Sequence, residues 1–418
     1  MPSSQSLSPS SASPEQVGMS TTALARVEAH LKQRYVDAGR FSGTQLLVYR
    51  HGEIVHSATQ GFADLERKIA VKDDTIFRIY SMTKPITSVA FMMLVEEGRV
   101  TLDELVHKYI PEWENIGVFQ AGVTAPFVTK RPARPMQIID LLRHTSGLTY
   151  GFQQRTNVDA AYRALKIGEI EKSGTMTSMI SDLAKVPLEF SPGDAWNYSV
   201  STDVIGYLVE KISGQPFEQF LQERIFDPLG MTDTGFFVPP DKAHRLAACY
   251  AADGKGGFVL QDDPATSSFL SPPKMISGGG GLCSTAADYL TFCRALLNGG
   301  ALGDVRLLAP KTIALMTNNH LPGGAYVADM STSMFSETSY AGVGFGLGFS
   351  VMMNPVKTMI PGSAGEYGWG GAASTVFWID PAEQLIAIFM TQLLPSSAYP
   401  VRRELRTMIY SAITDSNV

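Results

Sequence analysis

One serine and one lysine, three residues apart, are marked for chemistry by their spacing. Ser81-Met82-Thr83-Lys84 precedes an apolar run, residues 86–95, that closes at Glu96-Glu97-Gly98. This pattern predicts a buried helix with a glycine just past its C-terminus. If Ser81 opens that helix, Lys84 lies one turn on, on the same face, and the two side chains can meet. Pro85 is tolerated because the first helical turn has no amide partners to lose. A serine at a helix start beside a lysine is one way to build an activated nucleophile. The same spacing also suits an N-capping serine and a surface lysine, and spacing alone leaves both open. A second match, Ser271-Pro272-Pro273-Lys274, is set aside as loop because its Pro-Pro pair does not fit a regular helix.

A nucleophilic serine also needs a proton acceptor, oxyanion donors and a cleft. The Gly-x-Ser-x-Gly elbow is absent, and its nearest approach, Gly362-Ser363-Ala364-Gly365, lacks one spacer. Lys84 is one candidate base. Tyr198, in a turn just before a helical pattern, is another. The seven histidines form no HxxxH or HExxH pattern; His51 and His56 flank a hairpin signal and read as surface residues. Cys249, Cys283 and Cys293 give neither a disulfide framework nor a CxxC metal spacing. No metal and no other cofactor is expected. The run Gly278 to Gly281 could cradle an anion, yet it lacks the P-loop lysine and the dinucleotide spacing. It reads as a device for close backbone packing.

The 418 residues, 44% hydrophobic and 18% charged, read as an ordinary globular protein with room for two domains. Net charge is −6 and no long Lys/Arg cluster occurs, so nucleic acid is not an expected partner. Lys130-Arg131-Pro132-Ala133-Arg134 reads as a solvated, proline-broken loop. The Ser/Pro-rich start reads as a disordered tail, residues 1–18, without the basic start and apolar core of a secretory signal. No apolar stretch is long enough to span a membrane, so a cytoplasmic protein is expected.

The elements that must position these residues follow from periodicity. Residues 21–36 carry Leu24, Val27, Leu31 and Tyr35 at helical spacing. Residues 44–50 and 54–59 read as strands joined at His51-Gly52. A proline-rich loop spans 126–135, and a short helix 138–143 runs into His144. Helical patterns dominate 158–188. Further helices are expected over 201–213, 217–226, 285–297, 310–316 and 400–413. Strands return at 346–353, 371–379 and 385–391. The economical solution is α+β: one antiparallel sheet, flanked by helices and built from both chain ends, 19–80 plus 340–418. A mostly helical segment, 81–339, is inserted between them, with the site in the cleft.

These residues together resemble a known family. Ser81-x-x-Lys84, His144-Thr145-Ser146-Gly147-Leu148, Tyr198, Pro228-Leu229-Gly230-Met231 and Trp369-Gly370-Gly371 occur in this order. The set is similar to the serine β-lactamase-like hydrolases near the class C β-lactamases, and most of all to the family VIII carboxylesterases, over residues 20 to 415. The resemblance implies the β-lactamase/transpeptidase-like fold. It implies Ser81 as the acylated nucleophile, general-base work shared by Lys84 and Tyr198, and an oxyanion hole from the amides of Ser81 and Ala372. Trp369, Gly370 and Gly371 would border the substrate. One oxyanion donor is typically worth about 3 kcal/mol in the transition state.

Two departures set this chain apart. Class C enzymes carry Tyr-x-Asn where this chain has Tyr198-Ser199-Val200, and Lys-Thr-Gly where it has Trp369-Gly370-Gly371. A Lys172-Ser173-Gly174 lies before Tyr198, out of order, and reads as a helix terminus. Losing the third-motif cation removes recognition of a substrate carboxylate, which suits uncharged esters. It also removes a charge that would activate the tyrosine. Free Tyr and Lys titrate near pH 10, and bringing either to neutrality takes roughly 4 kcal/mol. Lys84 must then do more, taking the Ser81 proton through or beside Tyr198, which hands it to the leaving alkoxide. Trp369 reads equally as a sheet-capping core residue or as a wall of the acyl pocket, and Asp203 and Trp196 as structural. The expectation is a serine carboxylesterase for a small, short-chain ester, with a possible weak β-lactamase side activity. A β-lactamase or D-alanyl-peptide hydrolase, an acyltransferase and a non-catalytic ligand-binding domain are the alternatives. Neither a membrane nor a particular oligomeric state is expected.

Overall fold

Strands from the two ends of the chain meet side by side at Leu47 and Ile388. The computed structural model describes residues 12–169, 173–333 and 341–418. The N-terminal part supplies β1 (Gly43–Arg50), β2 (Glu53–Asp64) and β3 (Ile69–Ala70). The C-terminal part supplies β4 (Val343–Phe345), β5 (Ser350–Met352), β6 (Tyr367–Gly370), β7 (Val376–Asp380) and β8 (Leu385–Met390). They form one eight-stranded sheet in the order β4-β5-β6-β7-β8-β1-β2-β3, antiparallel throughout. His51 and Gly52 join β1 to β2 with positive φ at both, 49° and 94°, as a two-residue hairpin turn of the I′ kind requires. The expected α+β architecture, one antiparallel sheet closed from both chain ends, holds.

Five helices matter to the site: α1 (Thr21–Leu31), α2 (Thr83–Glu96), α3 (Ser201–Ser213), α4 (Ala286–Leu297) and α5 (Val401–Tyr410). Side chains alternate across each strand. Leu46, Val48, Trp378 and Phe389 face α1 and α5, meeting Leu24, Val27, Leu405 and Ile409. Leu47, Phe377, Ile379 and Ile388 face the other way, into a core shared with α2, α3 and α4. Covering both faces explains why β7 and β8 read as unbroken apolar runs rather than alternating ones. Every α2 residue from Thr83 to Leu94 is buried, the condition of a helix enclosed on all sides. Gly98 follows α2 at φ 69°.

Several expectations are corrected. Residues 1–11 of the expected tail lie outside the described residues, but order begins before 18. Pro14–Val17 form a 3-10 turn, and the buried Arg50 donates to Val17 O at 3.1 Å and Gly18 O at 2.7 Å. Residues 346–353 are not one strand: β4 and β5 pair across Gly346 and Gly348, which bring the backbone against Met316 O and Ser88. Trp369 and Gly370 end β6, and the strand expected from 371 begins only at Val376, residues 371–375 being the turn into β7. The 126–135 loop contains Val128–Lys130, paired with Val118–Ala121. Within the inserted segment, Cys249–Ala252 pairs with Phe258–Asp262 and, in parallel, with Leu393–Leu394. Lys172 of Lys172-Ser173-Gly174 lies outside the described residues. Among the described residues, no helix is long and apolar enough to cross a membrane.

Candidate active site

The segment leading to Ser81 is clamped before it becomes helical. Phe77 and Arg78 pair with Ser284 and Cys283, and Ile79 N donates to Leu282 O at 3.0 Å. Tyr80 then takes a positive φ of 41°, a left-handed conformation that a tyrosine holds only under surrounding constraint. Tyr80–Met82 form a 3-10 turn that runs into α2 at Thr83. Ser81 thus precedes the α-helix proper instead of opening it. Residues three apart eclipse in a 3-10 turn, and this brings Lys84 over Ser81. Pro85 is the third residue of α2, where an amide has no ladder partner.

Lys84, 1% exposed, donates from Nζ to Ser81 Oγ at 3.1 Å and to Gly279 O at 2.6 Å. Its Nζ also lies 4.6 Å from the Tyr198 ring centroid and 5.4 Å from that of Tyr150, so the amine packs against two aromatic faces. Gly279 is held in turn by Asp203, on the first turn of α3. Asp203 Oδ1 accepts from Gly279 N at 3.1 Å and from Ser277 Oγ at 2.5 Å. A Cβ at Gly279 would strike Asp203 Oδ2. The glycine run therefore serves to bring a carbonyl onto Lys84.

Tyr198, also 1% exposed, donates from its hydroxyl to Ser81 Oγ at 2.6 Å. It comes just before α3, and its carbonyl accepts from Gln153 Nε2 at 2.6 Å. Its neighbour Asn197 donates to Leu148 O at 3.0 Å and to Glu189 Oε2 at 3.1 Å. His144 packs edge-on to the Tyr198 ring at 5.1 Å and pairs through Nδ1 with Ser199 Oγ at 3.2 Å. Burial, with Lys84 adding to it, holds the His144 imidazole well below its ordinary pKa. It is neutral at pH 7 and adds no charge to the site. Ser199 continues through Ser201 to Ser146, each step 2.7 Å between hydroxyl oxygens.

Each residue of Trp369-Gly370-Gly371 has its own geometric reason. Trp369 is buried on the Ser81 side of the sheet, its ring centroid 5.5 Å from that of Tyr198 and its Nε1 at a long 3.5 Å from the Tyr198 hydroxyl. It is at once a core aromatic and a neighbour of the site. Gly370 points to the opposite face, where a Cβ would lie 2.6 Å from Arg402 Cζ. At Gly371 a Cβ would lie 2.5 Å from Ile79 O, so only a glycine lets this turn press on the backbone before Ser81. Gly371 N donates to Thr375 O at 2.8 Å and Ser374 N to Gly371 O at 3.1 Å. Ala372 N lies outside these turn hydrogen bonds, and Ala372 packs on the small cluster around Tyr80.

One serine oxygen thus receives an amine and a phenol at once, beside the packed rings of Tyr150, Tyr198 and Trp369. Such a cluster can take a proton from a hydroxyl and return it to a leaving group. The cysteines are not competing nucleophiles: burial pushes the Cys249 thiol up to about 11 and the Cys283 thiol up to about 12. Among the described residues, no group of three or more His, Cys, Asp or Glu side chains could hold a metal ion. The structure brings Ser81, Lys84, Tyr198 and Trp369 together, with the Gly371-Ala372 turn beside them. Sequence reasoning missed Gly279 as a lysine partner and read Asp203 as merely structural. The signal available was the glycine run itself, since four consecutive glycines imply a close backbone approach.

A family model described as Beta-lactamase matches residues 25–409. A protein of Mycobacterium tuberculosis, Rv1367c, is 36% identical over 363 residues, covering 86% of this chain and 88% of that protein. Esterase EstB of Burkholderia gladioli is 31% identical over 410 residues, covering 93% and 95%. Among solved structures, EstCE1, described as a hydrolase with promiscuous acyltransferase activity, superposes with a TM-score of 0.77 at 27% identity, covering 93% of this chain and 99% of that one.

Proposed function

This chain belongs to the Beta-lactamase family, and from that premise we propose that it is a carboxylesterase of the family VIII kind working through an acyl-enzyme on Ser81. The observation that carries the reading is the convergence of Tyr198 OH and Lys84 Nζ on Ser81 Oγ, at 2.6 and 3.1 Å, beside a tryptophan where a cation would select an acidic substrate. In the first half-reaction Ser81 Oγ attacks the ester carbonyl while its proton passes, through or beside Tyr198, to the neutral amine of Lys84, so that Tyr198 remains a phenol. The oxyanion lies in the amides of Ser81 and Ala372. The carbon–oxygen bond to the alcohol breaks, and Tyr198 protonates the departing alkoxide. A water then attacks the acyl-enzyme, gives its proton to the same pair, and Ser81 leaves reprotonated. Substrate enters the cleft between the sheet and the inserted segment, where Trp369 and Gly371 border the acyl group, while Gly370 faces away from it toward Arg402.

Similarity to EstB supports an ester substrate, and the description of EstCE1, a hydrolase with promiscuous acyltransferase activity, supports acyl transfer as a second reading. Against a β-lactam stands the missing cation. A charge-assisted contact to a substrate carboxylate is worth about 1.5–3 kcal/mol, or roughly 10- to 100-fold in rate. The test compares p-nitrophenyl butyrate with a chromogenic cephalosporin, with and without an acceptor alcohol. The expected result is a kcat/KM for the ester above that for the cephalosporin by at least about that factor. Faster cephalosporin turnover would replace the esterase reading with a β-lactamase, and acyl transfer outrunning hydrolysis would replace it with a transferase.

A further inference from the structure

Behind the third motif, on the sheet face away from Ser81, an arginine grips the turn that carries Ala372. Arg402, in the first turn of α5, donates from Nη2 to Gly371 O at 2.6 Å and to Thr375 O at 2.8 Å. These two carbonyls bracket residues 372–374. The guanidinium lies directly beneath Gly370, where a Cβ would come within 2.6 Å of Cζ, 2.7 Å of Nη2 and 2.8 Å of Nη1. Gly370 is therefore a glycine because of Arg402, just as Gly371 is one because of Ile79 O. The turn is fixed from both faces of the sheet, by the backbone before Ser81 on one side and by Arg402 on the other. Arg402 also lines a cavity of about 180 Å³ with Ser350, Glu366, Val376, Tyr399 and Arg406.

We propose that Arg402 is a positioning residue for the oxyanion donor at Ala372, setting that amide's place relative to Ser81 from the far side of the sheet. The proposal rests on the acyl-enzyme reading above. A guanidinium suits the task because its planar donors form a rigid, preorganised fork that can hold two carbonyls at once. An amide shifted by a fraction of an ångström would still bind substrate but would stabilise the oxyanion less, so the effect falls on kcat rather than on KM.

The experiment measures p-nitrophenyl butyrate hydrolysis by the wild type, Arg402→Ala, Gly370→Ala and the double variant, with millimolar guanidinium or urea added. Arg402→Ala is expected to lose about 10- to 100-fold in kcat with KM nearly unchanged. Guanidinium, entering the enlarged cavity, restores part of that loss, whereas neutral urea does not. Gly370→Ala shows a similar loss by displacing the guanidinium, and the double variant loses little more than either single one. Arg402→Ala with kcat within about twofold of wild type, a loss confined to KM, equal response to guanidinium and urea, or fully additive losses would each overturn the proposal. Should Arg402→Ala fail to fold, Gly370→Ala decides with Arg402 in place: a kcat near wild type overturns the proposal, and a kcat loss at unchanged KM sustains it. A wild type without ester turnover overturns the acyl-enzyme reading and this inference with it, whereas the variant outcomes overturn the inference alone.

Discussion

Tyr198 makes two separable contributions, one through its hydroxyl and one through its ring. The hydroxyl meets Ser81 Oγ at 2.6 Å, while the ring packs against Lys84, His144 and Trp369. Tyr198→Phe removes the first and keeps the second. Its kcat on p-nitrophenyl butyrate should fall by about 10²–10⁴-fold, the usual weight of a general acid–base group, with little change in Tm. Retention of more than about a tenth of wild-type kcat would remove the phenol from the chemistry. Local signals, a spacing at a helix start and a tyrosine before a helix, offered Ser81, Lys84 and Tyr198 as candidates, and the ordered set of motifs in the family resemblance joined them into one site. The Gly279 carbonyl and Asp203 were not legible in the sequence, because no residue type announces that a backbone oxygen will accept from a lysine nearly two hundred positions away.

Elements that end sharply near Ser81 are where the periodic reading was least accurate. Unbroken apolar runs located β7 and β8, which are buried on both faces, and the His51-Gly52 hairpin signal located β1 and β2, but the apolar reading ran through the 371–375 turn as though it were strand. That turn is set by contacts to Ile79 and Arg402, which are tertiary and leave no periodic trace. The His144 segment belongs to the same scale. It follows the short helix Ile138–Leu142 and turns at φ 59° to place its imidazole against Tyr198, Trp196 and Phe345. Burial depresses the His144 pKa from its ordinary 6.5. Below that value the unfolded chain binds a proton that the folded chain does not, so His144 makes stability fall as pH drops through about 6.5 and below. Asp288, raised to about 6 by burial, acts in the opposite sense between its ordinary 3.8 and that value. Their contributions separate in a variant: Tm followed from about pH 7.5 to pH 5 should fall less steeply in His144→Gln than in wild type. Equal slopes would mean that His144 does not stay neutral in the fold.

Across the whole molecule the site is an assembly of distant pieces. Ser81 and Lys84 come from the segment after β3, Tyr198 from the approach to α3, Gly279 from the glycine run and Ala372 from the link between β6 and β7. No two adjacent elements could make it. It exists only once β8 has paired with β1 and the sheet carries the C-terminal turn to Ile79. The closure from both chain ends was legible because strand patterns occur at the two ends and helical ones between. The small sheets of the inserted segment escaped, their strands being only two to five residues long. The central claim is that this assembly makes Ser81 a nucleophile. Intact mass after treatment with a p-nitrophenyl phosphonate, followed by assay on p-nitrophenyl butyrate, tests it most directly. The account predicts a single phosphonyl adduct on Ser81, ester turnover lost in proportion to labelling, and neither adduct nor turnover in Ser81→Ala. Turnover that survives full labelling, or that persists in folded Ser81→Ala, would contradict it.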